Sequence, residues 1–72
     1  MKDTTFGQVF EKAMDKHGYT VKSLAEAMGV SKSYIYYIKS GQRTPQKKHR
    51  LIQISKHLNI PLQDLVELSF LG

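Results

Sequence analysis

The sequence contains no cysteine and no apolar run long enough to cross a membrane. The first absence excludes a disulfide framework and a thiolate zinc site. The second excludes a membrane span and a signal peptide, so we expect a cytoplasmic protein without a membrane partner. A chain of 72 residues is expected to form a single domain, residues 1–72, near the lower size limit for an unstapled core.

The usual marks of catalysis are also missing. There is no glycine-rich phosphate loop, no metal-ligand spacing, and no nucleophile with a base close to it in sequence. His49 and His57 would lie roughly 12 Å apart along a helix, which is too far for both to bind one metal ion. We therefore expect a protein that is not an enzyme, with no cofactor, no metal and no evident small-molecule ligand.

Acidic residues are absent from the middle of the chain. All six lie at or before Glu26 or at or after Asp64, although the net charge is +5. An exposed surface normally mixes both signs, so a one-sided run favours contact with phosphates, although charge alone would also suit RNA or a membrane surface. The basic residues of this middle stretch are Lys32, Lys39, Arg43, Lys47, Lys48, Arg50 and Lys56.

Two short apolar stripes at helical spacing, joined at a glycine, occupy residues 20–41. Thr20 is placed to cap the first helix, and Gly29 supplies the left-handed backbone at which that helix ends. Ser31 is placed to cap the second helix, which we expect over residues 32–40. The stripes consist of Val21, Leu24, Ala25 and Met28, then Ile35 and Ile38, with Val30 in the turn. This is the pattern of a helix-turn-helix.

The stretch resembles the helix-turn-helix of phage repressor and Cro-type proteins, the Xre-like class, over roughly residues 6–68. The resemblance implies an all-α fold, a compact bundle of four to five short helices. It also implies a sequence-specific regulator of transcription that binds double-stranded DNA with helix 32–40 in the major groove. The positions that agree together are Leu24, Ala25, Met28, Gly29, Val30, Ile35 and Ile38, followed by Gly41 and Pro45.

Helices are expected on both sides of the motif. Thr4 or Thr5 is placed to cap a first helix with a regular apolar stripe. Pro45 suits the entrance of a fourth helix that runs to about Leu58. A last helix is expected over residues 61–71.

The outward side of helix 32–40 is the candidate surface for reading DNA. By the resemblance, the residues that contact base edges are Lys32, Ser33 and Tyr37. The lysine can donate a hydrogen bond to guanine, the serine hydroxyl can bond a donor or an acceptor, and the tyrosine ring can touch a thymine methyl group. Three tyrosines within four residues also suit a core cluster, so Tyr34 either packs against a neighbouring helix or lies on a phosphate. Exposed aromatics also stack on unpaired bases, which keeps single-stranded nucleic acid as an alternative.

The candidate phosphate contacts come from the motif and from the segment after it. In the family, the loop after the third helix lies on the DNA backbone. Lys39 stands where the family often has a glutamate paired with the first helix, and the matching residue there is Met14, so we expect Lys39 to be free for solvent or phosphate. The full set is Lys22, Tyr34, Tyr36, Lys39, Gln42, Arg43, Thr44, Lys47 and Lys48.

The last helix carries more apolar surface than a capping helix needs. Leu62, Leu65 and Val66 are expected to close the core. An exposed apolar end is usually an interface, and small DNA-binding domains usually read two half-sites as dimers. We therefore predict a homodimer through Leu68, Phe70 and Leu71, the alternative being a tail that folds back or frays.

Several functions fit these features. A repressor is favoured over an activator because the chain shows no room for an effector-binding domain, and an antitoxin that regulates its own operon is a variant of the same class. The alternative from another class is a protein-interaction module with the same fold. Loss of Arg43, Lys47 and Lys48 would separate the two, since DNA binding depends on these charges and protein binding tolerates their removal.

Overall fold

The computed structural model describes residues 5–70, which form five helices and contain no strand. None of these helices is both long and apolar enough to cross a membrane. The expected all-α fold of four to five short helices is confirmed. In chain order the elements are α1 (Phe6–Lys16), α2 (Val21–Met28), α3 (Lys32–Ser40), α4 (Lys48–Leu58) and α5 (Leu62–Phe70).

All five helices contribute to one hydrophobic core. Helix α3 packs on α1 and α2, helix α5 packs on α4, and contacts of α1 with α4 and α5 and of α2 with α4 join the two groups. Since only one side of α3 packs on the bundle, its other side is exposed to solvent. The buried apolar residues are Phe6, Phe10, Met14, Leu24, Ala25, Met28, Ile35, Ile38, Leu51, Ile54, Leu58 and Leu65.

The α2–turn–α3 segment follows the sequence prediction at every boundary. Thr20 caps α2 in a reciprocal arrangement, since its Oγ1 accepts from the amide of Ser23 at 3.0 Å and its amide donates to the Ser23 Oγ at 2.9 Å. Gly29 has a φ of 73°, which a residue with a Cβ adopts only at a cost. Ser31 caps α3 by accepting from the amide of Tyr34 at 3.2 Å.

Helix α4 begins later than the sequence suggests. Its N-cap is Lys47, which makes no side-chain capping hydrogen bond. The expectation that Pro45 stands at the helix entrance is therefore wrong. Pro45 is buried in the preceding loop, where its carbonyl oxygen accepts from the Ser69 hydroxyl at 2.6 Å. This contact joins the loop before α4 to the distant α5.

Helix α5 is rotated relative to the expectation. Leu65 is fully buried, but Leu62 and Val66 are 37% and 39% exposed, so their predicted place in the core is wrong. Leu68, expected to lack cover, packs against the core instead. Phe70 is exposed as predicted, and Leu71 lies outside the described residues. Residues 62, 66 and 70 fall four apart on one side of the helix, which we call the apolar face of α5.

Candidate nucleic-acid interface

The outward face of α3 consists of Lys32, Ser33, Tyr36 and Tyr37, all of which are exposed. The only two aliphatic side chains of the helix, Ile35 and Ile38, are fully buried, so the side of the helix that carries them faces the core. Tyr36 and Tyr37 keep 58% and 43% of their surface exposed, which is far more than a tyrosine in a core would. The structure thus places the three predicted base-contacting residues on one accessible side of a short helix.

Tyr34 is the tyrosine that packs. Its ring is half-buried against the core, and the guanidinium carbon of Arg50 lies 5.5 Å from the ring centroid. This distance is that of a cation–π contact. Of the two alternatives that the sequence leaves open for Tyr34, packing against the fourth helix is therefore present, and a phosphate contact through its hydroxyl stays a prediction.

The loop between α3 and α4, residues 42–47, is called the basic loop here. It folds back onto the end of α3, because the amide of Arg43 donates to the carbonyl of Tyr37 at 3.1 Å after Gly41 with its φ of 85°. At its other end, Gln46 and Pro45 are tied to Ser69 in α5. The side chains of Gln42, Arg43 and Thr44 are exposed in between. The loop is thus fixed at both ends while its polar side chains face solvent.

An open groove of about 450 Å³ lies beside the basic loop. Lys47 and Lys48 are exposed where α4 begins, and no side chain caps the first turn of that helix. Uncapped amides at a helix N-terminus favour anions such as phosphate, and the two lysines add to the same field. The groove is lined by Tyr34, Arg43, Thr44, Pro45, Gln46, Lys47, His49 and Arg50.

Charge is separated across the bundle. The acidic residues of α1, α2 and α5 are exposed, and α3, the basic loop and α4 contain none. Among residues 5–70 the one ion pair joins Lys39 to Glu11. Within the described part of the chain, no other cation of the interface is paired with a carboxylate.

Lys39 is not free, and that part of the sequence expectation is wrong. Its ammonium lies 3.9 Å from the carboxylate of Glu11 in α1, whereas Met14 is buried in the core. The Glu11 side chain is 53% exposed, so the ion pair contributes little to stability. Lys39 lies on the side of α3 that meets α1, and its predicted phosphate contact would have to compete with Glu11.

The remaining predicted residue, Lys22, is exposed in the first turn of α2. Beside it, Val21 is half-buried and cannot hydrogen-bond a phosphate through its side chain. The part of the chain from residue 5 to residue 70 holds no cluster of three metal-ligating side chains. The exposed lysines and Arg43, with Gln42 and Thr44, supply hydrogen-bond donors of the kind that phosphates accept.

Comparison with known proteins gives a family and a fold. A family model described as helix-turn-helix matches residues 10–65. No curated protein sequence matches the chain significantly. Among solved structures, the N-terminal DNA-binding domain of SinR from Bacillus subtilis is 30% identical with a TM-score of 0.73, and the alignment covers 85% of this chain and 88% of that one.

Two further structures of SinR are similar. The master regulator for biofilm formation SinR in complex with DNA is 29% identical with a TM-score of 0.75, over 86% of this chain and 98% of that one. A SinR–SinI protein complex is 28% identical with a TM-score of 0.75, over 88% of this chain and 61% of that one. These matches confirm the resemblance seen in the sequence. The chain therefore belongs to the helix-turn-helix family, in its Xre-like, lambda-repressor-like class of DNA-binding transcriptional regulators.

Proposed function

We propose that this protein represses transcription by binding an operator in double-stranded DNA as a homodimer, with α3 in the major groove. The observation that carries the proposal is the outward face of α3, whose polar and aromatic side chains lie next to a basic loop that forms no ion pair among residues 5–70. The similarity to SinR in complex with DNA supports it. Because its target would be chromosomal or phage DNA, we place the protein in the cytoplasm.

Base edges would be read by Lys32, Ser33 and Tyr37. Lys32 and Ser33 stand in the first turn of α3, the part of a recognition helix that enters the groove most deeply. Tyr37 lies one turn further along, four residues after Ser33. Phosphates would be contacted around them by Lys22, Tyr34, Tyr36, Lys39, Gln42, Arg43, Thr44, Lys47 and Lys48.

The homodimer would form through α5. The predicted interface was Leu68, Phe70 and Leu71, but Leu68 packs inward, so the apolar face of α5 with Phe70 at its end is the better surface. Two copies joined there would read two half-sites of an inverted repeat. Repression would then require only that the dimer occupies its operator and excludes other proteins from it.

Selection from a pool of random duplex DNA at two salt concentrations tests this function. We expect the wild-type protein to retain an inverted repeat and Tyr37→Ala to retain a different motif, since that side chain would read a base. Tyr36→Ala is the matched control, because loss of a phosphate contact would lower affinity without changing the motif. Salt-sensitive retention of DNA without any motif would contradict a sequence-specific regulator.

A protein-interaction module is the second candidate. It is favoured by the apolar face of α5 and by the similarity to SinR in its complex with SinI, and an antitoxin-type autoregulator would combine both activities. Replacing Arg43, Lys47 and Lys48 by glutamine separates the candidates. Binding of a protein partner at α5 would survive these changes, whereas binding of DNA would fall with each.

A further inference from the structure

Helix α3 is supported unevenly. Its packing is mainly against α1 and α2, through Ile35 and Ile38. On the flank that faces α4, the Tyr34 ring contacts the guanidinium of Arg50. A side chain of α4 therefore meets α3 at Tyr34.

Arg50 is held in place from two directions. It is half-buried in the first turn of α4, and its Nη1 donates to the Oε1 of Gln53 at 2.7 Å. The guanidinium lies over the Tyr34 ring at 5.5 Å, and no carboxylate within residues 5–70 pairs with it. A planar guanidinium stacks on an aromatic ring and donates in its own plane at the same time, which an ammonium group does not.

Gln53 extends this arrangement to the other helix of the motif. Its Nε2 donates to the carbonyl oxygen of Met28 at 3.4 Å, and Met28 is the last residue of α2 before the Gly29 turn. A continuous set of contacts thus runs from the end of α2 through Gln53 and Arg50 to Tyr34 in α3. Helix α4 is linked by it to both helices of the motif.

We infer that Arg50 is a positioning residue for DNA recognition, which sets the Tyr34 ring and with it the orientation of α3. This inference rests on the proposed function. Arg50 differs from Arg43 and Lys47, which line the same groove but have exposed side chains without such contacts. Its role is to hold the outward face of α3 in register with the base edges, and the exposed cations neutralise the phosphates.

A double-mutant cycle with Arg50→Met and Tyr34→Leu tests the inference. Operator affinity and affinity for a scrambled duplex are measured over a range of salt concentrations. We expect each variant to lower operator affinity about tenfold or more, and the double variant to lose no more than Tyr34→Leu alone, since Arg50→Met removes only a contact that Tyr34→Leu also removes. The slope of affinity against salt for the scrambled duplex should stay unchanged, because Arg50 would not contact a phosphate and the Tyr34 side chain carries no charge.

Arg50→Lys is the second variant, since it keeps the charge and is well tolerated on a helix. It should bind the operator as poorly as Arg50→Met, because an ammonium group replaces neither the stacked guanidinium nor its geometry towards Gln53. Full recovery of operator affinity with lysine would overturn the inference. A salt slope lowered by about one in Arg50→Met would also overturn it, since that identifies a direct phosphate contact of Arg50. So would effects of the two single variants that multiply, since these show that Arg50 and Tyr34 act independently.

The free protein gives a readout that does not depend on DNA. In nuclear magnetic resonance spectra, Arg50→Met and Arg50→Lys should each shift the Tyr34 ring resonances and the amides of α3, while those of α1 stay in place. Unchanged Tyr34 resonances would overturn the positioning role. If the wild-type protein retained no DNA motif but these shifts appeared, the proposed function would fail and the structural coupling would stand.

Discussion

Gly7 lies where α1 crosses the carboxyl end of α3. A Cβ built on Gly7 would stand 2.7 Å from the carbonyl oxygen of Ile38 and 2.9 Å from that of Lys39. Both are backbone atoms, so the helices would have to separate. We expect Gly7→Ala to lower the free energy of unfolding by about 1–3 kcal/mol, as over-packing does elsewhere, measured by urea denaturation.

Lys12→Ala is the control for that prediction, since Lys12 is exposed on the same helix and should change stability by less than about 0.5 kcal/mol. Alanine is a better helix former than glycine by about 1 kcal/mol. If Gly7→Ala were as stable as the wild type or more so, the close approach of α1 and α3 would be disproved.

The burial of single residues could be predicted from the sequence, but their contacts across helices could not. The buried apolar positions of α1 to α3 followed from apolar spacing, because each helix has a single apolar stripe, but Val21, expected on the stripe of α2, is only half-buried. The pairing of Lys39 with Glu11 did not follow from spacing, since it depends on how α1 and α3 are rotated against each other. The contact of Arg50 with Tyr34 was missed for the same reason, and no spacing along the chain points to it.

At the scale of the element, α3 depends on its cap. Ser31 is the N-cap of this helix of nine residues, which carries the whole outward face. We expect Ser31→Ala to lower the free energy of unfolding by about 1 kcal/mol, because the amide of Tyr34 loses its acceptor. Thermal unfolding followed by circular dichroism measures the difference.

Ser33→Ala makes the same chemical change two residues further on. Ser33 is exposed, and within residues 5–70 its hydroxyl makes no hydrogen bond. Its replacement should therefore change the free energy of unfolding by less than about 0.5 kcal/mol. Equal losses for the two variants would show that the hydroxyl of Ser31 does not act as a cap.

The ends of α2 and α3 were predictable because each has a local chemical signal, a hydroxyl cap at the start or a glycine at the end. The start of α4 has none, since Lys47 is an N-cap without a capping side chain, and Pro45 suggested an earlier start. Which side of α5 faces the core could not be predicted from the sequence either. Its leucines and valine suit a core on more than one side, and only packing against α4 and α1 decides which side is buried.

At the scale of the whole molecule, the salt dependence of DNA affinity should depend more on where the positive charges lie than on their number. Arg43→Gln with Lys47→Gln removes two positive charges from the basic loop. We expect the slope of log affinity against log salt to fall by about two, since each residue would release counterions from one phosphate. Fluorescence anisotropy with a labelled duplex measures the slope.

Lys12→Gln with Lys16→Gln gives the same net charge by changing exposed residues of α1. This control should leave the slope close to that of the wild type. Equal slopes in the two double variants would mean that DNA senses only the net charge of the protein, and the assignment of phosphate contacts to the basic loop would fail.

Assembly can be tested through the apolar face of α5. Val66 is 39% exposed, so a lysine there should fold while placing a charge in the proposed dimer interface. We expect Val66→Lys to abolish cooperative binding to an inverted repeat, as measured by gel shift on duplexes with one and two half-sites. Asp64→Asn raises the net charge by the same amount at an exposed position on the other side of the helix from this face and should retain cooperativity. Cooperative binding by Val66→Lys would contradict a dimer through α5.

The most direct measurement is a titration of isotope-labelled protein with duplex DNA, followed through the backbone amides by nuclear magnetic resonance. The central claim is that the outward face of α3 and the basic loop form the DNA-binding surface. We expect the largest shifts in residues 32–37 and 42–48, with little change in the amides of α5 beyond any dimer contact. Shifts confined to α1 or α5, with α3 unaffected, would contradict this account.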